Sequence, residues 1–328
     1  MSIDFGRPVA VLRSPAGTPS FRVDYRAVAV VALLCCAAAA VTIASLMVGD
    51  YHITVPRVLQ AIFGEGSRID EYIVMEKRMP RALVALLLGI ALGMSGAIIQ
   101  SLTRNPLGSP DVIGFNTGAY TGALVVIVLG GGNYLGESSG AIIGGILTAL
   151  AVYLLAFKRG VQGFRLIVVG IGVSAMLASL NTWLIITADL DTAMSLAAFG
   201  VGSLGEVGWD EAYPVAVILA VVLVALIPFA VRMKMLELGD DAATSLGVRT
   251  EPTRLALILL GVMLTALATA AAGPISFVAL AAPQLAKRLV RSAGVRWYPP
   301  RQWERCCFRR RTWWPNACLR RLNYRLAS

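Results

Sequence analysis

The sequence predicts an all-helical bundle of membrane-spanning segments, and three observations carry that prediction. Hydrophobic residues make up 57% of the 328 and charged residues 15%, against about a quarter charged in a soluble domain. The mean hydropathy is +0.72, so lipid must accept apolar surface that a packed core of this size cannot hold. The apolar residues fall in runs near the ~20 residues that cross a bilayer as a helix, and Gly and Ala are frequent inside them, as close helix packing in lipid requires. The alternating ~10-residue pattern of a membrane barrel is absent.

Taken in order, an N-terminal tail (1–25) precedes a first span over 27–48. Its apolar run exceeds the ~7–15-residue core of a cleaved signal peptide, and further spans follow it. Cys35 and Cys36 lie inside it as small apolar fillers, where a disulfide framework has no role. A polar loop, 49–81, leads to spans near 82–101, 115–131, 140–157, 165–187, 212–231 and 254–273 and a shorter apolar piece at 275–290, about eight hydrophobic segments in all. The membrane domain is therefore placed at 26–295, followed by a tail, 296–328, of different character.

The net charge of +10 suggests a nucleic-acid partner only until its distribution is read. Arg7, Arg13, Arg22 and Arg26 precede the first span, Lys158, Arg159 and Arg165 follow the fourth, and Arg232, Lys234, Arg249 and Arg254 follow the sixth. The alternate loops, 132–139 and 188–211, hold no Lys or Arg but carry Glu137, Asp189, Asp191, Glu206 and Asp210. This asymmetry puts the N-terminus in the cytoplasm. Loop 49–81 is the exception, with Arg57, Arg68, Lys77, Arg78 and Arg81 among Asp50, Glu65, Asp70, Glu71 and Glu76.

Several chemistries are excluded. No G-x-x-x-x-G-K-[ST] occurs, so ATP is not bound here through a P-loop. No metal-ligand spacing is present, and the single histidine, His52, reads as an interfacial polar residue with no orienting partner. No catalytic residue, metal or bound cofactor is expected. A secondary transporter with its own ion coupling would carry intramembrane ionisable residues, and these spans are almost free of them.

Three polar constellations remain. In "RMPRALVALLLG" (78–89), Pro80 suits the first turn of a helix, and Arg78 and Arg81, three apart, share one side. Snorkelling at the interface is the simpler reading from physics alone. In "QSLTRNPLGSPDVIGFNTGAYTGAL" (100–124), two prolines and several glycines break the chain at membrane depth, which is tolerated only where the backbone is buried or lines a cavity. Gln100, Asn105, Pro106, Gly114, Asn116 and Gly118 are the candidates for a translocation pathway, and a plain tight turn fits the segment equally well. In "LELGDDAATSLGVRTEPTR" (236–254), Gly239 opens a short helix, Asp240 or Asp241 can cap it, and Gly247 stands where a C-terminal glycine belongs. Defined ends of this kind suit a docking helix more than a bland loop.

These residues carry a resemblance. "RMPR", "SGAIIQSLTRNPLGSPDVIGFNTGA", "RLIVVGIGVSAMLASLNTWL", "LGDDAATSLGV" and "AGPISFVALAAPQLAKRL", in that order over roughly 25–295, resemble the permease family of ABC importers for iron–siderophores and cobalamin, and within it the permeases for ferric enterobactin, a catecholate siderophore. The resemblance implies ten helices per subunit, a second permease subunit of the same or a different chain, and two ATPase subunits that carry the ATP. It further implies a periplasmic or lipid-anchored siderophore-binding protein, and a place in the bacterial cytoplasmic (inner) membrane. It assigns Arg78 and Arg81 to docking of glutamates on the binding protein, by forks that suit carboxylates. It assigns Gly239, Asp240, Asp241, Ala242, Ser245, Leu246 and Gly247 to the coupling helix seated in the ATPase. One departure is Pro283-Gln284 where the family often has Pro-His, which puts a polar role for that side chain in doubt. The alternatives kept open are a secondary transporter of a small solute and a non-functional truncated permease.

The tail departs altogether. After Val295 it carries nine arginines and Trp297, Trp303, Trp313 and Trp314 with no amphipathic period. Read one base out of register, Trp297–Tyr298 forces Val, Trp303–Glu304 forces Gly, Cys306–Cys307 forces Leu and Trp313–Trp314–Pro315 forces Val-Ala. With permissive choices the shifted tail resembles the family's ninth helix and its "ELPVG" motif. The expectation is a frameshift that removes the last two helices, the competing reading being a basic tail at the membrane surface.

Overall fold

Long apolar runs fold as helices because a helix alone satisfies every backbone polar group within its own segment in lipid. The computed structural model describes residues 9–12, 21–49, 51–130, 134–157, 163–205 and 207–290. The tail from 296 and the basic residues Lys158 and Arg159 lie outside the described residues. Six helices are long and apolar enough to span: Tyr25–Met47, Arg68–Thr103, Gly136–Ala156, Gly163–Thr187, Trp209–Leu226 and Thr250–Ala272. The chain is a multi-pass, all-helical membrane protein. The strand pair among the described residues is in the N-terminal tail, where β1 (Val9–Leu12) and β2 (Phe21–Asp24) pair antiparallel, Val9 opposite Asp24.

Helix α1 (Tyr25–Met47) has no buried residue in its apolar window. The exceptional loop 49–81 is itself largely helical: α2 (Val55–Ile62), then α3 (Arg68–Glu71) running through a π-helical stretch, Tyr72–Arg78, into α4 (Met79–Thr103). Pro80 therefore sits inside a continuous 36-residue helix rather than opening one. The wider π-helical turns just before it form where the proline ring lacks an N–H and crowds the preceding turn.

Helix α5 (Phe115–Val128) is shorter than its apolar run and packs on α6 (Tyr134–Ala156). The contact is built from glycines: a Cβ at Gly122 would overlap the carbonyl of Gly140, and one at Gly144 would overlap that of Gly118. Two G-x-x-x-G faces thus bring the backbones together. Helix α7 (Gly163–Thr187) follows. The expected loop 188–211 contains a helix, α8 (Leu190–Val201), capped by Asp189, whose Oδ2 accepts from Thr192 N–H at 3.2 Å. At 12 residues it is too short to span. The expected span 212–231 breaks at Pro228 into α9 (Trp209–Leu226) and α10 (Phe229–Glu237).

After α11 (Asp240–Ser245), α12 (Thr250–Ala272) runs through the middle of the bundle against α4, α5, α6 and α9, with 72% of its apolar window buried. Small residues and hydroxyls let it do so. Ser95 Oγ on α4 donates to Gly261 O at 2.7 Å, and Ser95 and Thr265 share a hydroxyl bond at 2.7 Å. Helix α13 (Val278–Val290) turns back along α4, where a Cβ at Gly96 would overlap the Ala279 carbonyl.

Candidate functional site

The end of the bundle at the start of α4 is rich in arginine, and two of these arginines, Arg57 and Arg78, are used internally. Arg57 on α2 holds the buried carboxylate of Asp70, Nε to Oδ2 at 3.0 Å and Nη2 to Oδ1 at 3.0 Å, and also reaches the Tyr51 hydroxyl at 3.2 Å. Arg78 is half-buried: Nη1 donates to Leu46 O at 2.8 Å and Nη2 to Tyr51 O, so its fork closes the end of α1 and leaves no room for a Cβ at Gly49. Arg81 is exposed on the same side of the helix. Both border a cleft of about 660 Å³ with Glu76, Lys77, Tyr51 and Gly205. Of the expected docking pair, Arg81 alone presents its guanidinium freely, since Arg78 is committed to two carbonyls.

Inside the bundle, two irregular connections meet: residues 104–114 between α4 and α5, and 273–277 between α12 and α13. Asp111 Oδ2 accepts from Phe277 N–H at 3.2 Å, and Asn116 Nδ2 donates to Ile275 O at 3.5 Å while its Oδ1 accepts from the Thr269 hydroxyl at 2.5 Å. Phe277 takes a left-handed backbone, φ +67°, as the chain turns into α13. Gln100 is buried and donates through Nε2 to Leu280 O at 3.0 Å. Gln284 Nε2 donates to Gln100 Oε1 at 2.6 Å and to Pro106 O at 3.3 Å. The residue whose polar role was in doubt therefore has one, as the bridge from α13 to the α4–α5 connection. Asn105 makes a local turn, Oδ1 accepting from Leu107 N–H at 2.9 Å. Gly114, at φ +87°, faces Gly170 and Ser174 of α7. Gly118 lies in the α5–α6 contact against Thr148.

The opposite end carries the short polar helix. Its first turn is not side-chain capped as expected: Gly239 is the N-cap, at φ 121° and ψ 156°, and neither aspartate caps it. Asp240 is turned instead toward two arginines. Arg104 Nη2 donates to Asp240 Oδ1 at 2.6 Å and its Nε to Leu236 O at 3.0 Å. Arg254 Nη2 donates to the same Oδ1 at 2.8 Å, and its Nη1 to Glu251 Oε1 at 2.9 Å. Glu251 Oε2 in turn accepts from the Tyr153 hydroxyl at 3.1 Å. Partial burial raises the Asp240 carboxyl, but the hydrogen bond and charge of Arg254, with Arg104 behind them, outweigh it and hold the group below its ordinary value. The C-terminal end of α11 closes as its sequence predicts. Gly247 takes φ +82° and donates to Thr244 O at 2.9 Å, and Val248 N–H reaches Ala243 O at 3.0 Å, the paired bonds of a Schellman motif. Asp241, Thr244, Ser245, Leu246 and Gly247 are left exposed, with Ala242 partly covered.

Sequence reading did not find this cluster. Arg104 and Tyr153 lie far along the chain from Glu251 and Arg254, which are an i,i+3 pair on one helix, and nothing in the sequence brings the two distant residues to that pair. Among the described residues, no group of three His, Cys, Asp or Glu is close enough to hold a metal.

Comparison with known proteins adds four findings. The model of the FecCD transport family matches residues 36–300. The chain is 49% identical over 249 residues to the ferric enterobactin transport system permease protein FepG of Escherichia coli (strain K12), covering 76% of this chain and 75% of that one. It is 39% identical over 267 residues to the probable siderophore transport system permease protein YfhA of Bacillus subtilis (strain 168), covering 78% and 76%. The solved inward-facing structure of a metal-chelate type ABC transporter superposes with a TM-score of 0.70 at 28% identity, covering 78% of this chain and 80% of that one.

Proposed function

The chain belongs to the FecCD transport family, and on that premise we propose that it is the membrane-spanning permease of an ATP-driven importer of a ferric siderophore of the catecholate type. The observation that carries the substrate class is the 49% identity to a ferric enterobactin permease over three quarters of both chains. The chain is a transport component rather than an enzyme. ATP hydrolysis is assigned to two partner ATPase subunits, seated under the exposed face of α11. A second permease subunit, identical or related, completes the channel, and a siderophore-binding protein docks at the cleft beside Arg81. The protein is placed in the bacterial inner membrane with its N-terminus in the cytoplasm, which puts α11 inside and the Arg81 cleft outside.

The geometry supports this division of labour. Two docking ends lie at the two ends of α4, and two irregular connections meet between them. Partners can move such a body only by binding its inward and outward states with different affinity.

Uptake assays in membrane vesicles test the reading, comparing ferric catecholate with ferric hydroxamate chelates, with the partner ATPase active or disabled. The expected result is catecholate uptake that stops when the ATPase is disabled. Uptake that persists would identify a secondary transporter, and hydroxamate uptake in place of catecholate would overturn the substrate class.

A further inference from the structure

Helix α11 has only six residues, one of them buried, Ala243. A helix this short does not hold itself together in water, and the apolar surface it covers is too small to seat it firmly. Its seat is ionic. Asp240 Oδ1 receives one guanidinium from the end of α4 and one from the first turn of α12, at 2.6 and 2.8 Å.

The two arginines differ: Arg104 is partly exposed, and Arg254 is buried. The Arg254 side chain is only 5% exposed, and a charge so far from water requires partners on both arms of its fork. One arm stays on α12 with Glu251, and the other crosses to α11. Arg104 stands at the C-terminal end of α4 in a left-handed conformation, φ +49° and ψ +32°. Glycine is the usual residue at such a position, and a side chain there is strained. That conformation ends α4 with the Arg104 guanidinium on α10 and α11 at once, through Leu236 O and Asp240 Oδ1. The Tyr153–Glu251 bond extends the chain to α6. A contiguous set of side chains thus links the short helix to three helices of the bundle, the physical requirement for carrying a displacement between sites.

We propose that Arg104 and Arg254 are positioning residues that, through their shared partner Asp240, lock α11 to α4 and α12 so that a push on α11 moves those helices. The inference rests on the reading of α11 as the ATPase-facing helix and adds the linkage that makes it effective. Neither arginine needs to touch the ATPase, and the Asp240 carboxylate is held by them, itself about half exposed, while the remaining exposed face of α11 is left for the partner.

The test has two arms. In the full chain in lipid nanodiscs, hydrogen exchange of the amides of residues 243–248 is compared between the parent, Asp240→Asn, Arg254→Lys and Glu237→Gln. Asp240→Asn keeps size and loses charge, Arg254→Lys keeps charge and loses the fork, and Glu237→Gln makes the same charge change beside the cluster. Exchange about tenfold faster in the first two, with Glu237→Gln like the parent, is expected from leaving the buried Arg254 without its partner on α11, the half-exposed Asp240. Unchanged protection in Asp240→Asn and Arg254→Lys overturns the inference whatever the chain transports. In the reconstituted complex with its ATPases and binding protein, the same two variants should take up about tenfold less chelate per ATP hydrolysed. A parental ratio overturns the inference. A parent complex with no chelate-dependent ATP turnover instead overturns the proposed function, and the exchange arm then still decides the linkage.

Discussion

Arg78 and Arg81 look equivalent in the sequence and are not equivalent in the structure. Arg78 spends its fork on two carbonyls, whereas Arg81 is exposed. Arg81→Glu should therefore weaken docking of the binding protein, more at low salt than high because exposed charges are screened, with the thermal midpoint unchanged. Arg78→Glu should lower stability as well, by about 1–3 kcal/mol for two carbonyls left unpaired. Docking affinity at two salt concentrations and thermal unfolding check the pair, and equal behaviour in both assays would return them to one role. Asp240 makes a second prediction at this scale. Its folded-state carboxyl lies below the ordinary 3.8, so the ionised group stabilises the fold fully above that value. That contribution is lost as pH falls through the lower folded-state value. Protection of α11, measured by hydrogen exchange corrected for intrinsic rates, should hold from pH 7 to about 5 and fall only in strong acid. Loss near neutrality would mean that another group seats the helix.

At the scale of elements, glycines decide which helices touch. Gly122 and Gly144 meet backbone across the α5–α6 contact, and neither helix can yield without losing the approach that the other glycines also use. Gly122→Leu should force the pair apart and destabilise the chain by about 1–3 kcal/mol or more. Gly89, where an added Cβ would meet nothing within 4 Å, should accept Ala at little penalty. Thermal unfolding in detergent distinguishes the two, and similar midpoints would show that the contact is looser than its geometry. The break at Pro228 and the π-helical turns before Pro80 are the same physics in reverse. A residue that cannot donate an N–H relocates an element's boundary, visible in the sequence as a proline but not as the particular outcome.

At the scale of the whole molecule, the 25 residues of α4 rise about 1.5 Å each, which separates its two ends by about 37 Å. That is enough to set the two proposed docking ends on opposite faces of a bilayer. Reporter fusions within 136–139 and within 232–237 should then report opposite sides, the first outside. Both on one side would refute the topology and with it the placement of α11. The described bundle closes around α12, and the buried polar side chains Ser95, Thr265, Thr269 and Asn116 bond to one another and to backbone across helices.

The sequence by itself determined that this chain crosses a membrane, roughly where, which loops carry positive charge, and where α11 begins and ends. Each of these is a local property: run length, charge and a glycine at a required backbone angle are all written within a few neighbouring residues. It also held the motifs by which the family is known. Only the tertiary structure decided what those motifs touch. Asp240 is a capping candidate by sequence and an ion-pair centre in the fold, because Arg104 and Arg254 reach it from 136 and 14 positions away. Gln284 looks like a departure and proves to be a bridge, because Gln100 lies beside it across 184 positions. α8 is invisible to a search for spans because it is capped and packed rather than long. A side chain's partner at long separation depends on how helices pack, and packing is a property of the whole chain at once.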